Sequence, residues 1–286
     1  MTEARSWFIT GAASGFGREL AAHALSIGDR VFATARDPAR LADLHALHGA
    51  RMRSFPLDVT KPEQVAAAVA AAEAEPGGID VLVNNAGYGL IAAVEEATEG
   101  EIDALFDTHF FGTLWTIRAA LPAMRARRRG HIVNFSSIAG FTGSAGTALY
   151  AAAKHAVEGL SEGLAKELAP LGIGVTIVEP GPFQTSFFTT SRRMGERRIP
   201  DYDGTAGAYR ERAGKPDPWL PGDPARAAQA IVQAVSALEP PMRLLLGRFA
   251  YDFAIEILAG RTAEAKRWHD LTLSADRPDA AGRPWP

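Results

Sequence analysis

Seven short apolar runs alternate along the chain with longer stretches of helical periodicity. The runs are 6–10, 29–36, 51–56, 80–83, 131–136, 174–178 and 243–246. Each is short, continuous and rich in Val, Ile, Leu or Phe, the signature of a strand buried on both faces. Leu20, Ala24 and Ile27 mark the apolar face of the first intervening helix. Thr60-x-x-Glu63 reads as a capping box ahead of an alanine-rich helix, and Thr98-x-x-Glu101 as a second. The second opens a long helix with Ile102, Leu105, Phe106, His109, Phe110, Thr113, Leu114, Ile117, Leu121 and Met124 on its inward face. Arg125, Arg127, Arg128 and Arg129 end it and read as a solvated terminus. Asp37-Pro38 and Asp223-Pro224 each read as an N-cap followed by the first helical residue. One more helix runs from Tyr150 to about residue 169. Another follows Gly247, with Phe249, Phe253, Ile257 and Leu258 apolar.

This alternation predicts an α/β fold: a doubly wound, mostly parallel seven-stranded sheet with helices on both faces. The pattern breaks from about 186 to 222, where Arg, Gly, Pro and Ser/Thr mix with scattered aromatics. A segment that long inside a compact domain reads as a lid over a site. No repeat or linker divides the chain, which predicts one domain over 1–286 with a helical extension at about 247–273.

Composition narrows the functions. With no cysteine among 286 residues, disulfides, thiolate catalysis and Cys-held metal are excluded. A formal net charge of -3 gives no electrostatic footprint for nucleic acid. The N-terminus lacks a signal-peptide apolar region. The apolar run at 65–72 is far short of the roughly 20 residues that span a bilayer. The expectation is a soluble cytoplasmic protein with no membrane span.

Three stretches carry candidate chemistry. Gly11-Ala12-Ala13-Ser14-Gly15-Phe16-Gly17 lies between the first strand and first helix. A glycine-rich turn there lets the backbone approach a pyrophosphate at a helix N-terminus, though such a turn also occurs without a ligand. At the end of the second strand, Ala35 stands where an acidic residue would hold a ribose 2′-hydroxyl, and Arg36 follows. A small neutral residue and a cation suit the 2′-phosphate of NADP; a solvated Arg36 beside Asp37 is the plainer alternative. Tyr150 and Lys154 are four apart, hence on one helix face. The lysine ammonium is expected to pull the phenol below its ordinary value of about 10 and make it an acid/base. Ser137, from the preceding loop, can hold a substrate oxygen beside it. Alone, a Tyr-x-x-x-Lys pair occurs by chance on many surface helices.

Taken together and in order, the motifs resemble the classical short-chain dehydrogenase/reductase family. They are Thr10-Gly11-x-x-x-Gly15-x-Gly17, Asp58-Val59, Asn84-Asn85-Ala86-Gly87, Ser137 thirteen residues before Tyr150, Tyr150-x-x-x-Lys154 and Pro180-Gly181. The likeness spans the chain to about residue 246. Thr34-Ala35-Arg36 and the long segment after Pro182 are most similar to the hydroxysteroid and retinol dehydrogenase branch. The resemblance implies that Gly11, Ser14, Gly15, Phe16 and Gly17 wrap the pyrophosphate and adenosine side of NADP(H), preferred over NAD(H). It implies Arg36 at the 2′-phosphate, Asp58 and Val59 at the adenine, and Asn85, Ala86 and Gly87 along the ribose and diphosphate. Phe183 and Thr185, after Pro180-Gly181, would reach the nicotinamide amide. Lys154 would hold the nicotinamide ribose, Ser137 would orient a carbonyl oxygen and Tyr150 would donate the proton. The substrate would be a small-molecule ketone, aldehyde or alcohol, and the family commonly pairs as a homodimer or homotetramer. Phe141, Thr142, Ser144 and Ala145, with the lid aromatics Phe187, Phe188, Tyr202, Tyr209 and Trp219, suggest an apolar pocket. Ordinary lid packing explains the same aromatics.

Two other readings stay open: a dinucleotide-binding sensor without turnover, and a sugar-nucleotide epimerase or dehydratase. The chain departs from the family at His109, where the pattern has asparagine. There the family uses the main-chain carbonyl to hold a water leading to the lysine, which requires a local break in helical bonding. The ring either fills the inward face or shuttles protons itself.

Overall fold

The computed structural model describes residues 4–215 and 220–277. In chain order the elements are β1 (Ser6–Ile9), α1 (Gly15–Ser26), β2 (Arg30–Ala35), α2 (Ala42–His48), β3 (Met52–Pro56), α3 (Pro62–Glu73) and β4 (Val81–Asn84). Then come β5 (Gly89–Ile91), α4 (Glu99–Phe106), α5 (Gly112–Arg127), β6 (Gly130–Phe135), α6 (Ala148–Leu168) and β7 (Ile173–Pro180). Last are β8 (Arg192–Met194), α7 (Ala208–Ala213), α8 (Pro224–Val235), β9 (Arg243–Leu246), α9 (Arg248–Arg267) and α10 (His269–Leu273). The seven predicted strands form one parallel sheet in the order β3-β2-β1-β4-β6-β7-β9. The order reverses between β1 and β4, the point at whose carboxyl ends open α/β sheets bind ligands.

Alternation along the strands divides the core, because successive side chains point to opposite faces. Trp7, Ile9, Val31, Ala33, Val81 and Val83 pack with Leu20, Ala24 and Leu25 of α1 and Ile231 and Val235 of α8. Phe8, Phe32, Leu82 and Ile132 face the other way, onto Val65 and Val69 of α3, Ile117 and Met124 of α5, and Leu164 and Leu168 of α6. No helix among the described residues is long and apolar enough to cross a membrane.

Four local expectations need correction. Ile27 is 53% exposed, because α1 ends at Ser26 and Ile27 is its C-cap. The Thr60 capping box does not form. The Asp58 carboxylate takes both the Thr60 N–H (3.0 Å) and its hydroxyl (2.8 Å), and Pro62 opens α3 after Lys61, as its fixed φ and missing N–H favour. Arg127 is not solvated: it bonds Glu73 (2.5 Å) and the Ile79 carbonyl (2.9 Å). The long helix is interrupted by a π-helical turn over Asp107–Phe111. The Thr98 box does form, as do the Asp37 and Asp223 caps.

The segment after 186 holds more order than its composition suggests. β8 pairs parallel with β5 in a separate two-stranded sheet, with Gly89 opposite Arg192 and Ile91 opposite Met194. A buried carboxylate fastens it: Glu96 accepts the N–H groups of Ala93 and Ile199 (2.9 Å each) and the Arg210 guanidinium (2.6 Å). Trp219 lies outside the described residues, as does the side chain of Phe188.

Candidate active site

The glycine loop is shaped by what cannot fit in it. Gly11 and Gly15 have φ of +67° and +54°, the left-handed region that glycine enters without a Cβ penalty. A Cβ on Gly17 would lie 2.5 Å from Asn85 Nδ2 and 2.7 Å from the Gly11 carbonyl oxygen. The loop is closed onto the end of β4 by Thr10 and Asn85. The Thr10 hydroxyl accepts the N–H groups of Asn85 (3.0 Å) and Ala86 (3.1 Å). The Asn85 amide donates to the carbonyls of Thr10 (2.8 Å) and Gly11 (3.2 Å). Asn85 therefore spends its donors on holding the loop. Ser14 caps α1 with extended backbone and no side-chain hydrogen bond to the helix. The result is a narrow backbone cradle at a helix N-terminus, the form that accepts a diphosphate.

Two hollows lie near the carboxyl edge of the sheet. One, of ≈ 610 Å³, is lined by Arg36, Asp58 and Gln64 among others, so the structure brings Arg36 and Asp58 together. Val59 is buried against Gly112 of α5, where an added Cβ would lie 2.8 Å from Val59 Cγ2. The other, of ≈ 470 Å³, joins Gly15 to Thr185, Ser186 and Thr189. The Phe183 ring does not face either: it is buried in the core, 5.0 Å centroid to centroid from Phe16 and packed on Gly222 and Gly247. Gly181 donates its N–H to the Leu246 carbonyl (3.1 Å), which continues the sheet edge past Pro180.

Opposite the cradle stand Tyr150, Ser137, Lys154 and His109. α6 carries Tyr150 and Lys154 one turn apart, both buried. Ser137 opens the turn after β6 and accepts the Ala139 N–H (3.2 Å). Lys154 Nζ donates to the Phe135 carbonyl (2.8 Å) and sits 5.7 Å from the Tyr150 ring centroid. His109 comes from the π-helical turn and packs edge-on to Tyr150, with centroids 5.5 Å apart. Its Nε2 lies against the Tyr88 backbone, 2.7 Å from the carbonyl oxygen and 3.2 Å from the nitrogen, and Nδ1 is buried without a partner among the described residues. Gly87 makes room for this ring, since a Cβ there would lie 2.5 Å from His109 Cε1. The His109 carbonyl accepts the Thr113 hydroxyl (2.8 Å). Leu90, Leu105, Ala153 and Phe187 close an apolar cluster around the phenol, with Tyr150 and Phe187 rings 5.7 Å apart.

Burial governs the charges here. It raises the Tyr150 phenol above its ordinary value, against the hydrogen bond from Ser137, which lowers it. This corrects the sequence expectation of a phenol drawn down by Lys154. Burial pushes the Lys154 ammonium down to about 7, against the pull of Glu158, which weakens it as a source of positive field. His109 is held well below its ordinary value, by burial first and the Lys154 charge second, while its bond to the Tyr88 carbonyl opposes both.

The sequence reading missed Thr10 as the clasp of the glycine loop, Tyr88 as the partner of His109, and Glu158 as a charge acting on Lys154. Thr10 stood inside the quoted motif, and Glu158 stood one turn past Lys154, a spacing that puts the two on one face. Nothing in the sequence marked Tyr88.

A model of the short chain dehydrogenase family matches residues 6–196. The chain is 37% identical over 271 residues to oxidoreductase BOA17 of Botryotinia fuckeliana, covering 94% of this chain and 98% of that protein. It is 35% identical over 254 residues to human retinol dehydrogenase 8, covering 84% of this chain and 80% of that one. Among solved structures, a short-chain dehydrogenase from Streptomyces avermitilis matches with a TM-score of 0.88 at 42% identity, over 96% of this chain and 100% of that chain. One from Burkholderia cenocepacia in complex with NADP matches with a TM-score of 0.73 at 28% identity, over 93% and 97%. One from Burkholderia phymatum in complex with NAD matches with a TM-score of 0.75 at 26% identity, over 99% and 98%. The chain belongs to the short-chain dehydrogenase/reductase family, a family of oxidoreductases.

Proposed function

We propose that the protein is an NADP(H)-dependent oxidoreductase that interconverts a ketone or aldehyde with an alcohol on a hydrophobic substrate. The observation that carries this reading is the buried Tyr150 phenol with Lys154 one turn away on α6, its ammonium anchored on the Phe135 carbonyl two residues before Ser137. The phenol belongs to an apolar cluster, and the glycine cradle leads into α1 of the same sheet.

A bound nicotinamide dinucleotide supplies the hydride. Gly11, Ser14, Gly15, Phe16 and Gly17 hold its diphosphate, Arg36 its 2′-phosphate, and Asp58 and Val59 its adenine. Ala86 and Gly87 lie along its ribose, with Asn85 holding the loop in register. Pro180, Gly181, the backbone at Phe183, and Thr185 border its amide. Ser137 orients the substrate oxygen. Tyr150, kept protonated by burial, donates to that oxygen as general acid. Lys154 holds the nicotinamide ribose and supplies positive charge behind the phenol. His109 fills the wall behind the ring. The segment at about 186–222 acts as lid over this pocket, and the helices after 247 extend the same domain.

The test is a panel of ketones, aldehydes and secondary alcohols with each of the two cofactors, read at the nicotinamide absorbance. Turnover faster with NADPH on apolar carbonyls is expected. Tight cofactor binding with no turnover on any member of the panel would sink this reading and return the sensor alternative.

A further inference from the structure

Behind the Ser137 turn lies a group of buried charges that the proposed reaction does not use. Glu158 of α6 is 6% exposed, Glu179 of β7 is 0% exposed, and the two carboxylates meet at one nitrogen, Nη1 of Arg243. One guanidinium, Arg243 of β9, bonds both of them and also the half-exposed Glu162. Glu158 Oε1, Glu179 Oε2 and the Ser136 hydroxyl are buried without partners among the described residues. Gly140 leaves the space between them open: a Cβ there would lie 2.5 Å from Ser136 Oγ and 2.7 Å from Glu158 Oε1. The wall on the far side is the Phe141 ring, 5.8 Å from the Arg243 guanidinium carbon, with Arg261 of α9 bonded to the Phe141 carbonyl.

Two buried carboxylates facing one guanidinium cannot both keep full charge cheaply, because like charges at contact in a dry site force one to hold a proton. Glu158 is also four residues after Lys154 on α6, on the same face, and its charge acts on that ammonium. We propose that Glu179, crowded with Glu158 onto one guanidinium nitrogen, holds a proton up to neutral pH, and that Glu158 is a positioning residue whose charge keeps Lys154 charged for turnover. The groups that face the pair are Arg243 from β9, Glu162 and Lys154 from α6, Ser136 from the end of β6 and Arg261 from α9. Tyr150 and His109 complete the titratable surroundings of Lys154. Burial and the neighbouring Glu158 both push Glu179 up to about 7, against its bond to Arg243, so the Glu179 proton leaves within the working range.

Infrared spectra of the whole protein test the proton directly. A protonated-carboxyl band is expected below neutral pH, fading as pH rises through about 7 and absent in E179Q. A wild-type spectrum with no such titrating band overturns the proposal, and this arm needs no variant that must fold. The second arm is the pH profile of carbonyl reduction, and it rests on the assignment of Tyr150 and Lys154 above. E158Q should move the alkaline limb of kcat/KM about one pH unit lower, roughly a tenfold loss on that limb. E158D should restore it, and E162Q, whose charge is solvent-screened, should move it less than about twofold. An E158Q profile scaled down evenly, with its limb unmoved, marks a merely structural role and overturns the positioning claim. If Y150F and K154A keep wild-type turnover, the catalytic assignment fails instead, and the infrared arm still decides the Glu179 proton.

Discussion

One wall of the site is backbone and the other is buried titratable side chains. On the glycine-loop wall, Gly17 sits where a Cβ would meet the Asn85 amide and the Gly11 carbonyl, and Thr10 and Asn85 clamp the loop with four hydrogen bonds. On the Tyr150 wall, the phenol, an ammonium and an imidazole are all buried, and burial shifts each against its charged form. The first wall works by shape, so adding atoms ruins it. The second works by charge, so isosteric changes that touch one proton ruin it while leaving the shape intact. Substitutions should therefore separate binding from turnover according to the wall they hit.

The largest separation is expected from the pair Tyr150→Phe and Gly17→Val. Tyr150→Phe removes one oxygen from the charged wall and should cut kcat by about 10²–10⁴-fold with cofactor affinity nearly unchanged. Gly17→Val pushes a branched side chain into Asn85 Nδ2 and the Gly11 carbonyl and should abolish measurable cofactor binding. Cofactor fluorescence titration and steady-state rates on both variants check this. A Tyr150→Phe enzyme within about tenfold of wild type would break the contrast.

Arg36 lies on the shape wall but acts by charge, which makes it the sharper test of cofactor choice. Its guanidinium borders the hollow that also holds Asp58. A charge-assisted bond to a 2′-phosphate is worth roughly 1.5–3 kcal/mol. Arg36→Ala should thus weaken NADPH binding by about ten- to a hundred-fold and leave NADH alone. Equal losses for the two cofactors would remove Arg36 from the 2′-phosphate.

Third in size is the lid. Glu96 is buried, and Ile199 and Arg210 of the lid both depend on its carboxylate. Glu96→Gln keeps the shape and strands Arg210. Breaking one partner of a buried pair costs about 3–5 kcal/mol locally, enough to open the segment without unfolding the sheet. The expected outcome is KM raised several-fold, kcat little changed, and faster tryptic cleavage after Arg193 or Arg197. Unaltered cleavage would mean that the segment is held by other contacts and that Glu96 is not its fastening.

The strands and the glycine wall were legible because they obey local rules. Continuous apolar runs ending in Thr10, Asn84 and Ser136 mark strand ends, and glycine spacing marks backbone contact. What escaped depends on partners far along the chain. β5 and β8 are three residues each, too short for any periodicity, and exist only because they pair with each other. Thr60 chose Asp58 over a helix cap because a carboxylate two residues back out-competes the free N–H groups. The π-helical turn hides inside a helical pattern, since one wider turn rotates the following residues without breaking the apolar stripe. The direction of the Tyr150 shift was not legible at all. Spacing places Lys154 beside the phenol, but only the fold reveals that both are buried and that Lys154 is turned to the Phe135 carbonyl.

The smallest expected effect concerns His109, and it bears on which wall this residue serves. Its ring stands against Tyr150, yet Nε2 is committed to the Tyr88 backbone, and burial first and the Lys154 charge second hold the imidazole well below its ordinary value. A ring that resists protonation across the working range is a poor shuttle. The helix break that a carbonyl relay requires is present in the π-helical turn itself, and it does not depend on the side chain. His109→Asn should therefore keep kcat within about tenfold, with the acid limb of the kcat profile unmoved. Stability should change with pH in a definite direction. Because the folded value lies below the unfolded value of about 6.5, the unfolded chain binds more protons just below that pH. The stabilisation is thus present above about 6.5 and is lost as pH falls through the folded value. His131, held down to about 4 by burial, adds the same slope to both proteins and cancels in the comparison. Urea midpoints taken near pH 7 and pH 5 should fall less for His109→Asn than for wild type. A loss of 10²-fold or more in kcat, with a break near pH 6–7 disappearing, would instead put the ring in the proton path and move His109 from packing to chemistry.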